Sequence, residues 1–239
     1  MEDIIKKQLF PRLESALVRK DDRDVEDGIS MLLECIGMLS DDTKLELAVE
    51  AVEILHKFGN ISYDKFEIFA ATTRMVDIGV IYDRFPNSEA IALKLLDMIS
   101  GVLGLKMGMG ATDNMNIYLS DLLKITEMFP DNEKTALGCM MCYANIQALY
   151  ASVASSMSIY VVLEEIDSVV DKMEAISAKF PDNEDINLVY CRSLAAIASG
   201  LQGRPNKELY KKYIDMLRRL IFERKVSVSS EIKNFLEQA

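Results

Sequence analysis

One phrase occurs three times in this 239-residue chain. Phe85-Pro86-Asn87-Ser88-Glu89, Phe129-Pro130-Asp131-Asn132-Glu133 and Phe180-Pro181-Asp182-Asn183-Glu184 each follow an amphipathic stretch and precede an apolar one. Proline lacks an N–H and restricts the residue before it, so it bars continuation of the outgoing helix. Phe closes that helix's apolar face. The short polar residues after Pro cap the next helix, and Glu in its first turn meets the positive end of the dipole. The phrase uses three of the five prolines in the chain, and each occurrence reads as a seam between two helices.

The seams are 44 and 51 residues apart, measured from Pro86 to Pro130 to Pro181. Recurrence on this scale marks stacked supersecondary units. Each interval holds two helices of roughly 18 residues and two turns. Leu39-Ser40-Asp41-Asp42 reads as a worn fourth copy, while Phe10-Pro11-Arg12-Leu13-Glu14 echoes the wording without the polar cap. Helical periodicity fills the intervals. Ile91, Leu95, Met98, Ile99, Val102 and Leu103 lie opposite Glu89, Lys94, Asp97 and Ser100. Leu45, Val52, Leu55 and Phe58 lie opposite Glu46, Glu50, Glu53 and Lys57. In 159–178, Val162, Leu163, Ile166, Val170 and Met173 oppose Glu164, Glu165, Asp167, Asp171 and Glu174. The pattern predicts helices over 2–19, 23–39, 42–58, 62–83, 87–106, 113–128, 131–150, 157–178, 182–200 and 205–223, with a short one near 229–238. Half the residues are apolar and 27% are charged, enough for a core and against disorder; Gly (11), Pro (5) and Trp (0) are too few to punctuate a β-sandwich.

Helix pairs joined head to tail through a Pro-Asx junction resemble a tetratricopeptide-type (TPR-like) α-solenoid, here with degenerate, long units. Counted from each Pro, the family's large first-helix positions fall on Leu95 and Ile99, Cys139 and Tyr143, and Tyr190 and Leu194. Its second-helix positions fall on Ile78 and Ile81, Leu122 and Ile125, and Met173 and Ile176. The resemblance covers roughly residues 40 to 222. It implies an all-α superhelix of about ten antiparallel helices, and one helical-repeat domain over 1–239 with approximate units 1–39, 40–85, 86–129, 130–180 and 181–239. It further implies a binding platform whose groove is lined by each unit's first helix. Polar candidates for that lining are Lys94, Asp97, Lys134, Asn145, Asn187 and Arg192.

Charge narrows the partners. Acids outnumber bases 38 to 27, a formal net charge of −11, which disfavours nucleic acid because phosphate neutralisation needs basic excess. The exception is 204–225, where eight bases (Arg204, Lys207, Lys211, Lys212, Arg218, Arg219, Arg224, Lys225) meet three acids (Glu208, Asp215, Glu223). Lys207, Lys211, Lys212, Arg218 and Arg219 fall opposite Leu209, Tyr213, Leu217, Leu220 and Ile221. That face is either a solvated surface or a patch for an acidic partner, including the acidic N-terminal helices of the chain itself. Met1-Glu2-Asp3-Ile4-Ile5-Lys6-Lys7 does not read as a signal peptide. The longest uncharged run, Thr135–Leu163, is interrupted by Asn145, Gln147 and several Ser and Tyr, so no membrane span is expected. Cys35, Cys139, Cys142 and Cys191 sit in apolar helical patterns, which fits a reducing, cytoplasmic setting.

Four motifs invite chemistry, and each has a structural reading. Cys139-Met140-Met141-Cys142 lies in a helix apolar on every side, where Cys packs as a small hydrophobe. Glu53-Ile54-Leu55-His56 matches half of a di-iron motif, but His56 is the sole histidine and the set cannot be completed. The run Asp21-Asp22-Arg23-Asp24-Val25-Glu26-Asp27 suggests Mg²⁺ and a diphosphate, yet its spacing fails and an acidic helix start explains it. Gly101, Gly104, Gly108 and Gly110 in Ser100–Thr112 lack the Gly-Lys-Ser/Thr of a phosphate cradle and read as a mobile loop bearing Met107 and Met109. Asn145 and Gln147 within an apolar helix require partners if buried. The expected function is therefore a non-catalytic interaction or scaffold module for a protein, a peptide or a second copy of the chain, without cofactor or metal. The alternative is an all-α enzyme or small-ligand binder with a carboxylate site, since Asp/Glu chemistry needs no His.

Overall fold

Each Phe-Pro phrase joins two helices in the computed structural model, which describes residues 2–19, 22–38, 44–153, 159–202 and 207–239. The elements in chain order are α1 (Glu2–Ile4), a π turn (Ile5–Leu9), α2 (Phe10–Arg19), α3 (Asp22–Gly37), α4 (Leu45–Asp64), α5 (Ile68–Arg84) and α6 (Glu89–Met109). They continue with α7 (Met115–Met128), α8 (Glu133–Val153), α9 (Ile159–Lys179), α10 (Glu184–Leu201), α11 (Lys207–Arg218), a second π turn (Arg219–Glu223) and α12 (Ser230–Gln238). The protein is all-α, with no strand among the described residues.

The three seams are built alike. Phe85, Phe129 and Phe180 each donate their backbone N–H to the carbonyl four residues back (Ile81, Ile125, Ile176), closing the outgoing helix. Two turn residues follow, and the second residue after Pro becomes the cap. The Ser88 hydroxyl accepts from Ile91 N–H at 3.4 Å, Asn132 Oδ1 from Thr135 N–H at 3.1 Å, and Asn183 Oδ1 from Ile186 N–H at 3.0 Å. Each side chain thereby satisfies one of the donors a helix start leaves open. Of the three phenylalanines, only Phe85 is fully buried. Pro11, by contrast, lies inside a helical run. Its missing N–H is accommodated by the π turn Ile5–Leu9 just before it, so Phe10-Pro11 is no seam. The worn copy at Leu39–Asp42 lies outside the described residues.

Two glycine-bearing stretches that suggest breaks are helical instead. α4 runs through Gly59, and the residue has no side chain where α6 approaches so closely that a Cβ would stand 2.3 Å from Met98 Cε. The expected loop Ser100–Thr112 is mostly the end of α6: Tyr63 rests on Gly101, with 3.4 Å from its ring to where a Cβ would sit. That helix ends only at Gly110, which has a positive φ of 65°. Gly110 N–H donates to Met107 O and Ala111 N–H to Lys106 O, the paired bonds of a Schellman C-cap.

The chain divides into two compact units, Met1–Leu105 with Ile117–Phe129, and Lys106–Asn116 with Pro130–Ala239. In the first, α2 packs on α3 and α4, and α3 and α4 pack on each other and on α5. α4 meets α6 through Glu53–Lys94 (3.2 Å) and His56–Asp97 (2.6 Å), while Lys124 of α7 reaches Asp83 of α5 at 2.7 Å. In the second, α8 packs on α9 and α10, α9 on α10, and α10 on α11 and the π turn that follows it. All twelve positions aligned with the repeat pattern, from Ile78 to Leu194, are buried. No described helix is long and apolar enough to cross a membrane.

Candidate functional site

The turn between α4 and α5 holds the feature that best marks a site. Like α6, α4 ends in a Schellman cap: Phe66 N–H donates to Tyr63 O at 2.9 Å and Glu67 N–H to Ser62 O at 2.8 Å. The residue at the left-handed position here is Phe66, with φ 59°. A side chain in that conformation is disfavoured by about 1–2 kcal/mol relative to right-handed backbone, and glycine avoids the clash. Phe66 nevertheless stands 81% exposed, and Phe69, one turn on at the start of α5, is 87% exposed.

Beside this turn opens a cleft of about 550 Å³, within the span typical of ligand sites. Ala16, Val25, Phe58, Ile61 and Ala70 supply its apolar wall, and Glu26, Ser62, Asp64, Lys65, Glu67 and Arg74 its polar groups. Arg74 is 4% exposed and occupies a position on the core face of α5, beside Ala71, Met75 and Ile78. A buried guanidinium requires compensation. Its Nη2 donates to both Glu26 carboxylate oxygens, at 3.0 and 2.7 Å, tying α5 to α3. Its Nη1 lies 3.1 Å from Asp77 Oδ2, an ion-pair distance without hydrogen-bond alignment. Burial pushes the Asp77 carboxyl up to about 6; Arg74 pulls the other way and Glu26 adds to the rise. One deep cation thus sits between two carboxylates, with Glu26 reaching into solvent.

The polar residues expected to line a first-helix groove have mixed placements. Lys94 and Asp97 are spent on α4, pairing with Glu53 and His56, so the E-x-x-H motif is one side of a helix-to-helix clamp. Asn187 is buried, where its amide nitrogen donates to the carbonyls of Phe180, Pro181 and Asn183 at 3.1, 2.9 and 2.8 Å, and its oxygen accepts from Ser177 at 2.6 Å. That side chain laces the third seam. Lys134 and Arg192 are exposed and Asn145 half-buried. Gln147 accepts from Ser193, while its Nε2 is buried without a partner.

In the basic segment, Lys207, Lys211, Lys212, Arg218 and Arg219 are all exposed. Lys212 pairs with Asp167 of α9 at 2.8 Å, Arg218 with Asp215 at 3.7 Å and Arg219 with Glu174 of α9 at 3.9 Å. The face is therefore partly neutralised by acidic α9. Arg204 lies outside the described residues. Cys139, Cys142 and Cys191 are buried and none of the four cysteines forms a disulfide; burial pushes the Cys191 thiol up to about 12, away from reactivity. Asp21 lies outside the described residues, as do the side chains of Asp22, Arg23 and Asp24; of that acidic run, Glu26 is the member that reaches the cleft. Among the described residues no group of three His, Cys, Asp or Glu is placed to hold a metal ion.

Sequence reasoning passes over Arg74, Asp77, Phe66 and Phe69. Arg74 has a signal, a charge at a core position of the helical period. Phe66 has none, because its exposure depends on where α4 ends. Compared with known proteins, the chain matches no family model, no curated protein and no solved structure.

Proposed function

We propose that this chain is a non-catalytic interaction module in which TPR-like helix pairs form the scaffold and the α2–α5 cleft receives a protein or peptide segment. The packing of successive and alternate helices within α2–α5 and of α8, α9, α10 and α11, together with the burial of all twelve aligned positions, supports the repeat architecture. The observation that carries the binding role is the pair Phe66 and Phe69. Two phenylalanines more than four-fifths exposed, one held in a disfavoured backbone conformation, have no packing function, and strained residues cluster at ligand clamps. A cytoplasmic setting agrees with cysteines left as thiols.

A second reading is favoured by one observation. Asp77, raised to about 6 beside Arg74 and Glu26, is a carboxyl of the kind that small-ligand sites and acid–base enzymes use. Two measurements on the full chain separate the readings. Affinity capture is expected to return a recurrent protein partner that is lost when Phe66 and Phe69 are both replaced. A thermal-shift screen with Mg²⁺, diphosphates, amines and carboxylates is expected to give no shift that depends on Asp77. A shift abolished by Asp77→Asn, without a recurrent protein partner, would transfer the assignment to the small-ligand reading.

A further inference from the structure

We propose that the segment received by the cleft is cationic and apolar together: a short stretch of another protein carrying Lys or Arg beside a large hydrophobic side chain. The proposal rests on the interaction-module reading and adds the chemistry of the partner.

Charge decides the sign. Among the described residues lining the cleft, the carboxylates Glu26, Asp64 and Glu67 face two cations, Lys65 and Arg74. Arg74 is taken up by Glu26 and by Asp77 behind it, and Lys65 lies 3.9 Å from Glu67. Asp64 is left without an opposite charge among the described residues, and the Glu26 side chain is 60% exposed, so its oxygens remain open to a second donor. An anionic segment would have to displace Glu26 from Arg74 and enter against the remaining carboxylates. A Lys or Arg side chain instead finds acceptors at Glu26 and Asp64, and the exposed Phe66 and Phe69, outside the lining but next in the chain to Lys65, Glu67 and Ala70 within it, are the aromatic groups we assign to its stem. The apolar wall of Val25, Phe58 and Ile61 then takes the neighbouring hydrophobic side chain, as an aromatic or aliphatic anchor fills a pocket at other interfaces.

The test is selection of random dodecapeptides on the full chain, followed by anisotropy titration of the enriched peptides. Two variants are chosen to preserve the fold. Phe66→Gly with Phe69→Ser removes both rings, and the glycine suits the left-handed backbone. Asp64→Lys places a cation at a helix C-terminus, where the dipole tolerates it, and reverses the cleft's spare charge. Enriched peptides are expected to be net positive with at least one Phe, Leu, Ile or Met. Their Kd is expected to rise about tenfold or more in each variant, as for loss of an interface anchor, and to rise with salt. Acidic or charge-indifferent peptides would overturn the proposal, as would peptides whose binding ignores both variants; in the latter case the chain remains an interaction module with its site elsewhere. Sedimentation showing self-association abolished by the same variants would give the cleft to a second copy and overturn the proposal too. Failure to enrich any peptide would overturn the proposal and leave the module reading to the affinity capture.

Discussion

Phe66 and Gly110 occupy the same place in the same helix-ending motif, and only one of them suits it. Both have φ near 60°, and both lie between paired backbone bonds that fix the turn, so the ring at Phe66 does nothing for the cap. Replacing Phe66 with Gly is expected to raise stability by about 1 kcal/mol, less whatever the more flexible unfolded chain takes back. Urea unfolding measures it; a loss of stability would mean the ring packs in solution. Asp77 gives a second prediction at this scale. Its carboxyl titrates near 6 in the folded chain, against an ordinary value of 3.8. The folded state therefore binds the proton more tightly than the unfolded state. The associated stability is present below about pH 4 and is lost as pH rises through about 6. The difference between the stability curves of the parent and Asp77→Asn is expected to slope through this window and to be flat above it. A flat difference throughout would place Asp77 in ordinary solvent. The same residues show where sequence reading stops. Arg74 stands out as a charge in an apolar arc, but its hydrogen-bonding partner Glu26 comes from α3, and that 48-residue separation is visible only once the helices are packed.

At the scale of elements, the seams were legible because a proline, a short polar cap and an acidic first turn act locally, each on backbone groups within a few residues. The role of glycine at Gly59 and Gly101 was illegible for the opposite reason. Its role there is to admit Met98 and Tyr63 from other helices, a long-range requirement that looks the same in sequence as a break. The third seam shows how much local wording leaves out. Asn183 is the expected cap, yet Asn187 makes four hydrogen bonds across the same junction, and Ser177 beneath it accepts from Arg224 at 2.8 Å. Asn183→Ala is expected to cost about 1 kcal/mol, the usual loss of a side-chain cap. Asn187→Ala strands buried carbonyls and is expected to cost about 2–3 kcal/mol. Equal losses in chemical denaturation would show that solvent enters the seam and replaces the Asn187 amide.

At the scale of the molecule, the seam at Phe129-Pro130 does more than separate two helices, because it also falls on the border between the two compact units. All of the first unit lies N-terminal to it, since Met1–Leu105 and Ile117–Phe129 are both included in a chain ending at Phe129. The intervening Lys106–Asn116 belongs to the second unit, and within it the Lys106 ammonium donates to the Asp113 carbonyl at 3.0 Å and to its carboxylate at 2.8 Å. The cleft, Arg74 and its partners, and the Glu53–Lys94 and His56–Asp97 clamps are likewise contained in that piece. A unit with its own core folds alone when the cut removes none of its packing. The fragment 1–129 is therefore expected to be helical by circular dichroism, to melt cooperatively, and to bind the peptides selected on the full chain with the same dependence on Phe66, Phe69 and Asp64. A fragment that is helical but melts without cooperativity would show that the first unit's core is completed by the rest of the chain. A folded fragment that no longer binds would move the recognition surface beyond Phe129.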